Sequence, residues 1–446
     1  MPAKRYTSLN PGVKRSEVWA WAMFDFANSG YTTVVITAVY NAYFVAAIAG
    51  NAAWASFAWS AALALSYLAI MLSAPVLGVI ADASGAKKRL LGVTTIGCVL
   101  ATAALAWPQP GQIVWAMVLI AVSNFFFGTG ENLIAAFLPE LARGRALGRI
   151  SGLGWGVGYL GGMITLGIAL VYVAQVQAAG GGAAQFVPGV LWITAGLFAL
   201  SSLPTFLLLR ERAHPRPLQA GLSLSAYAQL LQSLLRLRQY PDLRRFLYCI
   251  VSYQAGVMAV IALAAVYAQQ AMHFDTRQTL ELILIVNVTA ALGALAFGQV
   301  QDRIGHKAAL ILTLLAWLLM IVLAYTATTP ARFWLAANIA GLSLGASQSA
   351  GRALVGYLSP KPHRAEFFGL WGLAVKLSSI LGPISYGATV WLSNGNHRLG
   401  MLFTGIFFVV GLMVLMKVDV RRGRKAALRT NGKHSRNAAD TKPGTL

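Results

Sequence analysis

Long apolar runs separated by short polar breaks dominate this sequence. A helix needs about 20 apolar residues to cross the hydrocarbon core of a bilayer. Twelve such runs can be placed, at 18–48, 54–81, 89–108, 111–139, 147–176, 185–209, 244–272, 278–301, 307–327, 332–358, 366–393 and 397–417. The pattern predicts an all-α membrane protein. Segment 212–243 divides the spans into two sets of six. The expected organisation is a six-helix bundle over 1–211, a linker over 212–243, a second bundle over 244–418 and a basic, disordered tail over 419–446. In the linker, Leu222, Leu224, Tyr227, Leu230, Leu231, Leu234 and Leu235 recur at mostly helical spacing, with Arg236 and Arg238 after them. That reads as an amphipathic helix on the cytoplasmic face. The basic leader shows no small-residue cleavage pattern, so span 1 is expected to be retained.

Charge sets the orientation. The chain has 35 Lys+Arg against 13 Asp+Glu, yet only 11% of its 446 residues are charged; soluble domains carry about 25%. A basic excess can signal nucleic-acid binding. Here the bases lie in the breaks on one side: Lys4, Arg5, Lys14 and Arg15, then Lys87, Lys88 and Arg89, then Arg143, Arg145 and Arg149. The linker, Arg303, Lys307, Lys361, Arg364 and the tail continue the series, and only Arg277, Arg332 and Arg398 fall in the opposite breaks. This positive-inside pattern puts both termini in the cytoplasm. Membrane lipid, not nucleic acid, is the expected partner. Cys98 and Cys249 lie within apolar spans and read as free thiols.

The halves repeat each other. Gly78-x-x-x-Asp82-x-x-Gly85-x-Lys87-Lys88-Arg89 follows span 2, and Gly298-x-x-x-Asp302-Arg303-x-Gly305-x-Lys307 follows span 8. Both copies keep one orientation, as parallel repeats do. Glycines let helices approach closely. An aspartate at a helix end can accept from a neighbouring helix N-terminus or an arginine. The bases would hold the loop at the lipid surface, and simple positive-inside anchoring is the alternative reading. Duplicated at this spacing, the element resembles the loop signature of the major facilitator superfamily. The resemblance implies two parallel-repeat six-helix bundles, with these loops stabilising the outward-facing state.

A narrower resemblance lies in span 1, Trp19-x-Trp21-x-x-Phe24-Asp25-x-Ala27-Asn28-Ser29. It is similar to the opening of the autophagy-related vacuolar amino-acid effluxers and their bacterial relatives. Phe137-Leu138-Pro139-Glu140, Ser151-Gly152-x-Gly154-Trp155, Gln348-Ser349-x-x-Arg352, Glu366-Phe367-Phe368-Gly369 and Lys376-x-Ser378 extend it along nearly all the spans. It implies a secondary active transporter of a bacterial inner membrane, monomeric and without a cofactor, for a small polar solute, amino acids first. Peptides, sugars and drug-like compounds are the alternative cargo. Span 7 departs: Tyr253-Gln254-Ala255-Gly256 lacks the acid often found there in relatives. Span 5 lacks the Gly-Pro step common in exporters, which leaves direction open.

Four charges fall inside spans: Asp25, Glu131, Arg352 and Lys376. Each costs about 2.5–3.5 kcal/mol on insertion scales, which marks it as a functional candidate. Helical spacing sets Asp25, Asn28, Ser29 and Thr32 on one face of span 1. Gly341, Gly345, Gln348 and Arg352 share a face of span 10, and Gly372, Lys376 and Ser379 a face of span 11. Glu131 and Arg352 stand at the same offset as Pro139 and Pro360, so they are expected symmetry mates able to pair. Two readings stay open. The charges hold a zwitterion, a small anion or a proton, or they form an ion-pair network locking the bundles. For Asp25 a structural bond to Arg352 competes with proton transfer, and Lys376 can equally be a structural base beside Gly382-Pro383. Gln254, Tyr253, Asn287 and Trp371 are uncharged candidates.

An intramembrane hydrolase is the enzyme alternative. Gly341-x-Ser343-x-Gly345 has the spelling of a nucleophile elbow but lies in an apolar helix. All six histidines read as loop or tail residues, leaving no buried base. No phosphate-binding loop and no metal-ligand cluster can be found, so neither ATP nor a metal is expected.

Overall fold

The computed structural model describes residues 9–440 apart from 51, 53, 145, 213–225 and 275. Lys4, Arg5, Arg145, Leu222 and Leu224 lie outside the described residues. Twelve long helices follow the order of the apolar runs. They are α1 (Arg15–Tyr31, continued by π-helical and α turns to Ile48), α2 (Ala55–Ser84), α3 (Lys87–Ala104), α4 (Ile113–Ala135), α5 (Ala146–Ala178), α6 (Ala183–Leu208), α7 (Pro241–Met272), α8 (Thr276–Ile304), α9 (His306–Thr326), α10 (Pro330–Leu358), α11 (Arg364–Leu392) and α12 (His397–Met416). A linker helix, Ala226–Leu237, joins the bundles, and a tail helix, Val420–Asp440, ends the described chain. Among the described residues, nine of the twelve are long and apolar enough to cross a membrane. The other three, α3, α7 and α10, are richer in bases, amides or small residues. Exposed Val93, Ile96 and Leu100 on α3, and Leu207 on α6, form the apolar exterior expected of a lipid-facing surface.

The bundles close on each other at the ends that carry the two loop motifs, where glycines replace side chains. A Cβ on Gly78 of α2 would stand 2.7 Å from the Ala365 carbonyl at the start of α11. One on Gly369 would stand 2.8 Å from the Ala74 carbonyl, and one on Gly152 of α5 would stand 2.9 Å from Gly298 Cα of α8. The two loop aspartates each accept from a backbone N–H of the other bundle: Asp82 from Glu366 at 3.1 Å and Asp302 from Arg149 at 3.2 Å. Gly85 and Gly305 take φ of +61° and +95°, left-handed turns that favour glycine.

Three expectations need correction. The tail is not disordered through 419–446: it forms a helix as far as Asp440. Asp242 at the start of α7 accepts from Arg422 Nε and Nη2, both at 2.7 Å, and from the Asp419 N–H at 3.0 Å. Gly423 lets the helix lie against Leu358, and Arg424 sits 4.8 Å from the Tyr357 ring. His306 is buried rather than a loop residue, its ring between Gln301 and the Gly144 carbonyl. Lys87 is not at the lipid surface: it is buried and ion-paired with Glu140. Gly341 and Gly345 seat α10 against Val286, Thr289 and Ala290 of α8.

Candidate functional site: two ion pairs across the bundle seam

The four intramembrane charges meet in pairs, each with one partner from either bundle. The pairing is Asp25 with Arg352 and Glu131 with Lys376, not Glu131 with Arg352. Asp25 Oδ2 lies 2.8 Å from Arg352 Nη2. Arg352 Nε donates to Ser151 Oγ at 3.1 Å, and Nη2 donates to the Ser151 carbonyl at 3.0 Å. Its guanidinium sits 4.7 Å from the Trp21 ring and 5.2 Å from the Trp155 ring, a double cation–π contact. Gly154 makes room for it, since a Cβ there would stand 2.6 Å from Nη2. Ser151 in turn donates to the Ser349 carbonyl at 2.9 Å. α1, α5 and α10 are thus tied at one point, with both charges buried.

Lys376 Nζ lies 3.4 Å from Glu131 Oε2. The ammonium stands 5.3 Å from the Tyr67 ring and 5.8 Å from the Phe127 ring. Gly128, one turn before Glu131, keeps its helix flat where the lysine stem passes, 3.4 Å from the site a Cβ would take. Lys376 lies twelve residues into α11, whereas Arg352 lies six from the end of α10. At about 1.5 Å per residue the lysine pair is about 9 Å further from the end where the bundles close. It is also the more open of the two, with the Glu131 side chain 25% exposed. A long, partly exposed ion pair competes poorly with a new ligand, whereas a buried pair held by further hydrogen bonds resists one.

The remaining candidates distribute around these pairs. Gln254 of α7 and Gln348 of α10 exchange side-chain hydrogen bonds at 2.7 and 3.3 Å and are both buried. Asn28 is buried one turn from Asp25. Asn287 donates to the Ile283 carbonyl of its own helix, away from the pairs. Trp371 packs edge-on against Phe368, and Tyr253 packs between Gly351 and Gly411. In the loops, Lys88 reaches the Leu209 carbonyl, and Lys307 reaches those of Met416 and Val418. These bases tie down their own bundle. The site also uses Tyr67, Phe127, Trp21 and Trp155, none of which the sequence singled out as ligands. In a chain with 47 Phe, Trp and Tyr by its composition (20, 12 and 15), no spacing rule distinguishes them.

Behind the lysine pair, hydroxyls fix the wall of the first bundle. Ser123 donates to Tyr31 at 2.9 Å and lies 3.0 Å from Thr102 Oγ1, and Asn124 donates to Ser66 at 2.5 Å. The Tyr31 ring stacks on Phe127 with centroids 4.8 Å apart, so the aromatic beside Lys376 is itself held in place.

Comparison with known proteins agrees with this architecture. The family described as "Vacuole effluxer Atg22 like" matches residues 41–428. An uncharacterized MFS-type transporter of Bacillus subtilis (strain 168), YxiO, is 28% identical over 401 residues, 89% of this chain and 93% of that one. Autophagy-related protein 22-1 of Penicillium rubens is 25% identical over 305 residues, 63% of this chain and 50% of its own length. Against the fungal relative, then, the match spans half that protein. Among solved structures, the human organic anion transporter MFSD10 superposes with a TM-score of 0.70 at 15% identity, covering 90% of this chain and 99% of that one. The proton:xylose symporter XylE gives 0.70 at 12% identity, covering 90% and 95%. At such identities the likeness is one of fold, that of the major facilitator superfamily.

Proposed function

This chain belongs to the Atg22-like vacuole effluxer family of major facilitator transporters, and we propose that it carries a small zwitterionic or anionic solute, amino acids first, by alternating access. The observation that carries this reading is the loose Lys376–Glu131 pair, one charge from each bundle, at mid-depth and partly accessible. A solute carboxylate takes the lysine ammonium. The released Glu131 then accepts the solute's amine or a proton. Exchanging an internal ion pair for two solute contacts keeps every charge satisfied, which a low-dielectric site demands. The Asp25–Arg352 pair plays a different part. Lying nearer the cytoplasm and bonded to Ser151, it must separate before α10 can leave α1 and α5. It acts as the inner lock, and rocking of the two bundles opens it. The membrane is a bacterial inner membrane, with both termini in the cytoplasm; the basic breaks on one side support this.

Counterflow in liposomes tests the reading. With full-length protein, unlabelled amino acid inside should drive uptake of labelled amino acid from outside, and Lys376→Met should abolish it. Glu131→Gln should keep counterflow but lose accumulation driven by a pH gradient. No counterflow with amino acids, against clear counterflow with sugars or peptides, would overturn the cargo. Unchanged pH-driven uptake in both Glu131→Gln and Asp25→Asn would overturn the coupling.

A further inference from the structure

The linker helix has three different sides. Advancing about 100° per residue, Ser233 and Leu237 point one way and are buried, at 1% and 5% exposure. This side packs on both α2 and α11, across the seam between bundles. On one flank stand Leu231, Leu234 and Leu235, each close to half exposed, with the exposed Arg238 among them. On the other flank stand Gln232, Arg236 and Gln239. A helix in water alone gains nothing from a leucine flank, and a helix buried in protein would not expose one. A helix lying where protein, lipid and water meet needs all three sides in this arrangement.

The position fits. α7 begins at Pro241, four residues after the linker helix ends, and Tyr248 on α7 is already 61% exposed on the apolar exterior. The leucine flank and Tyr248 are thus exposed apolar residues on consecutive elements of the chain. The helix carries no acidic residue, so an anionic headgroup meets Arg238 without repulsion from its own element.

The polar flank reaches the gate. Arg236 Nη1 donates to Glu366 Oε2 at 2.5 Å, and the Glu366 side chain is 1% exposed. The Glu366 N–H is the one that Asp82 accepts across the seam. His363 Nδ1 lies 3.0 Å from the same carboxylate, and the Tyr240 ring packs edge-on against Phe367 at 5.4 Å. The linker helix therefore braces the first turn of α11 from outside while α2 caps it from the other bundle.

We propose that the linker helix is a lipid-binding element, seated by its leucine flank in the cytoplasmic headgroup layer, and that anionic lipid bound there favours the state closed to the cytoplasm. The inference does not depend on the identity of the solute. It is tested with full-length protein in nanodiscs of phosphatidylcholine with or without phosphatidylglycerol. Spin labels are placed at Leu234→Cys and, separately, at Gln232→Cys, with Leu231→Cys as a second leucine-flank site. On the leucine flank, collisions with oxygen should exceed those with a water-soluble nickel chelate several-fold, and at Gln232 the order should reverse. Equal nickel access on both flanks would overturn lipid seating. So would a leucine flank shielded from both reagents, the signature of a covering protein or second copy. The gate is read by the distance between labels at Ser84→Cys and Lys361→Cys. One base near an anionic leaflet contributes about a fivefold shift in equilibrium, so Arg238→Gln should lower the closed-to-open ratio about that much in anionic discs only. A ratio indifferent to phosphatidylglycerol would overturn the coupling.

Discussion

Replacing Gly152 by alanine should tip the transporter away from its cytoplasm-closed state. In this structure the added methyl meets the Ala294 carbonyl and stands 2.9 Å from Gly298 Cα. Both obstacles are backbone of α8, so no side chain can swing aside. α5 and α8 belong to different bundles, and the clash exists only while these ends touch. Overpacking of this kind costs about 1–3 kcal/mol. Taking about 2 kcal/mol, and about 1.4 kcal/mol per factor of ten, the closed-to-open ratio should fall about thirtyfold. The cost falls on one conformer, so the protein should still fold. Labels at Ser84→Cys and Lys361→Cys lie on opposite bundles and are exposed, while native Cys98 and Cys249 are buried and escape labelling. Pulsed electron resonance should show the short distance of the native protein replaced by a longer one. Gly167→Ala is the control, because nothing lies within 4 Å of its Cβ position. An unchanged distance distribution in Gly152→Ala, or a lowered melting temperature without a change in distance, would refute the reasoning. Either result would mean that α5 and α8 stay packed in every state.

Three other outcomes follow from the same geometry. Arg352→Gln leaves the buried Asp25 carboxylate without its cation and should destabilise the closed state by about 3–5 kcal/mol; Asp25→Asn added to it should restore part of the loss in a detergent melting assay. Lys376→Met should cost less stability than Arg352→Gln, because Glu131 is partly exposed, yet it should remove counterflow entirely. Asp242→Asn removes the charge that pairs with Arg422 and replaces one of its two acceptor oxygens by a donor, so trypsin should cut at Arg421 and Arg422 faster than in the native chain, at unchanged transport.

The sequence made the helices legible because each apolar run is long enough to answer only one physical demand, crossing a bilayer. The repeat was legible for a similar reason: Gly78 with Asp82 and Gly298 with Asp302 need the same spacing to do the same job twice. Pairing among the four charges was not legible. Offset made Glu131 and Arg352 mates, but mates across a two-fold axis are equivalent in position, not adjacent, and which charges touch depends on how the bundles rotate. The tail misled because composition counts charges without asking for partners. Four of its first ten residues are basic, yet Asp242 and Tyr357 give Arg422 and Arg424 specific places. Lys87 was read as a surface anchor for the same reason, until Glu140 is seen beneath it.

The two-fold symmetry of the gate contrasts with the asymmetry of the centre, and the contrast has a mechanical meaning. At the seam between the loop-motif ends the repeats act alike: Asp82 caps the first turn of α11, and Asp302 caps the first turn of α5. Glycines on α2 and α8 let those contacts form. A gate built twice closes evenly and has no preferred cargo. Deeper in, the first bundle supplies two acids and the second two bases, so any solute there meets a field of fixed direction. A zwitterion or an anion is oriented by that field, while a neutral sugar gains little from it. Reversing the lysine pair as Glu131→Lys with Lys376→Glu preserves the attraction between bundles and inverts the field. If orientation of a charged solute is what the centre does, this variant should stay folded, close normally by the Ser84–Lys361 distance, and fail in counterflow. Full counterflow by the reversed pair would show that the charges serve only to hold α4 against α11.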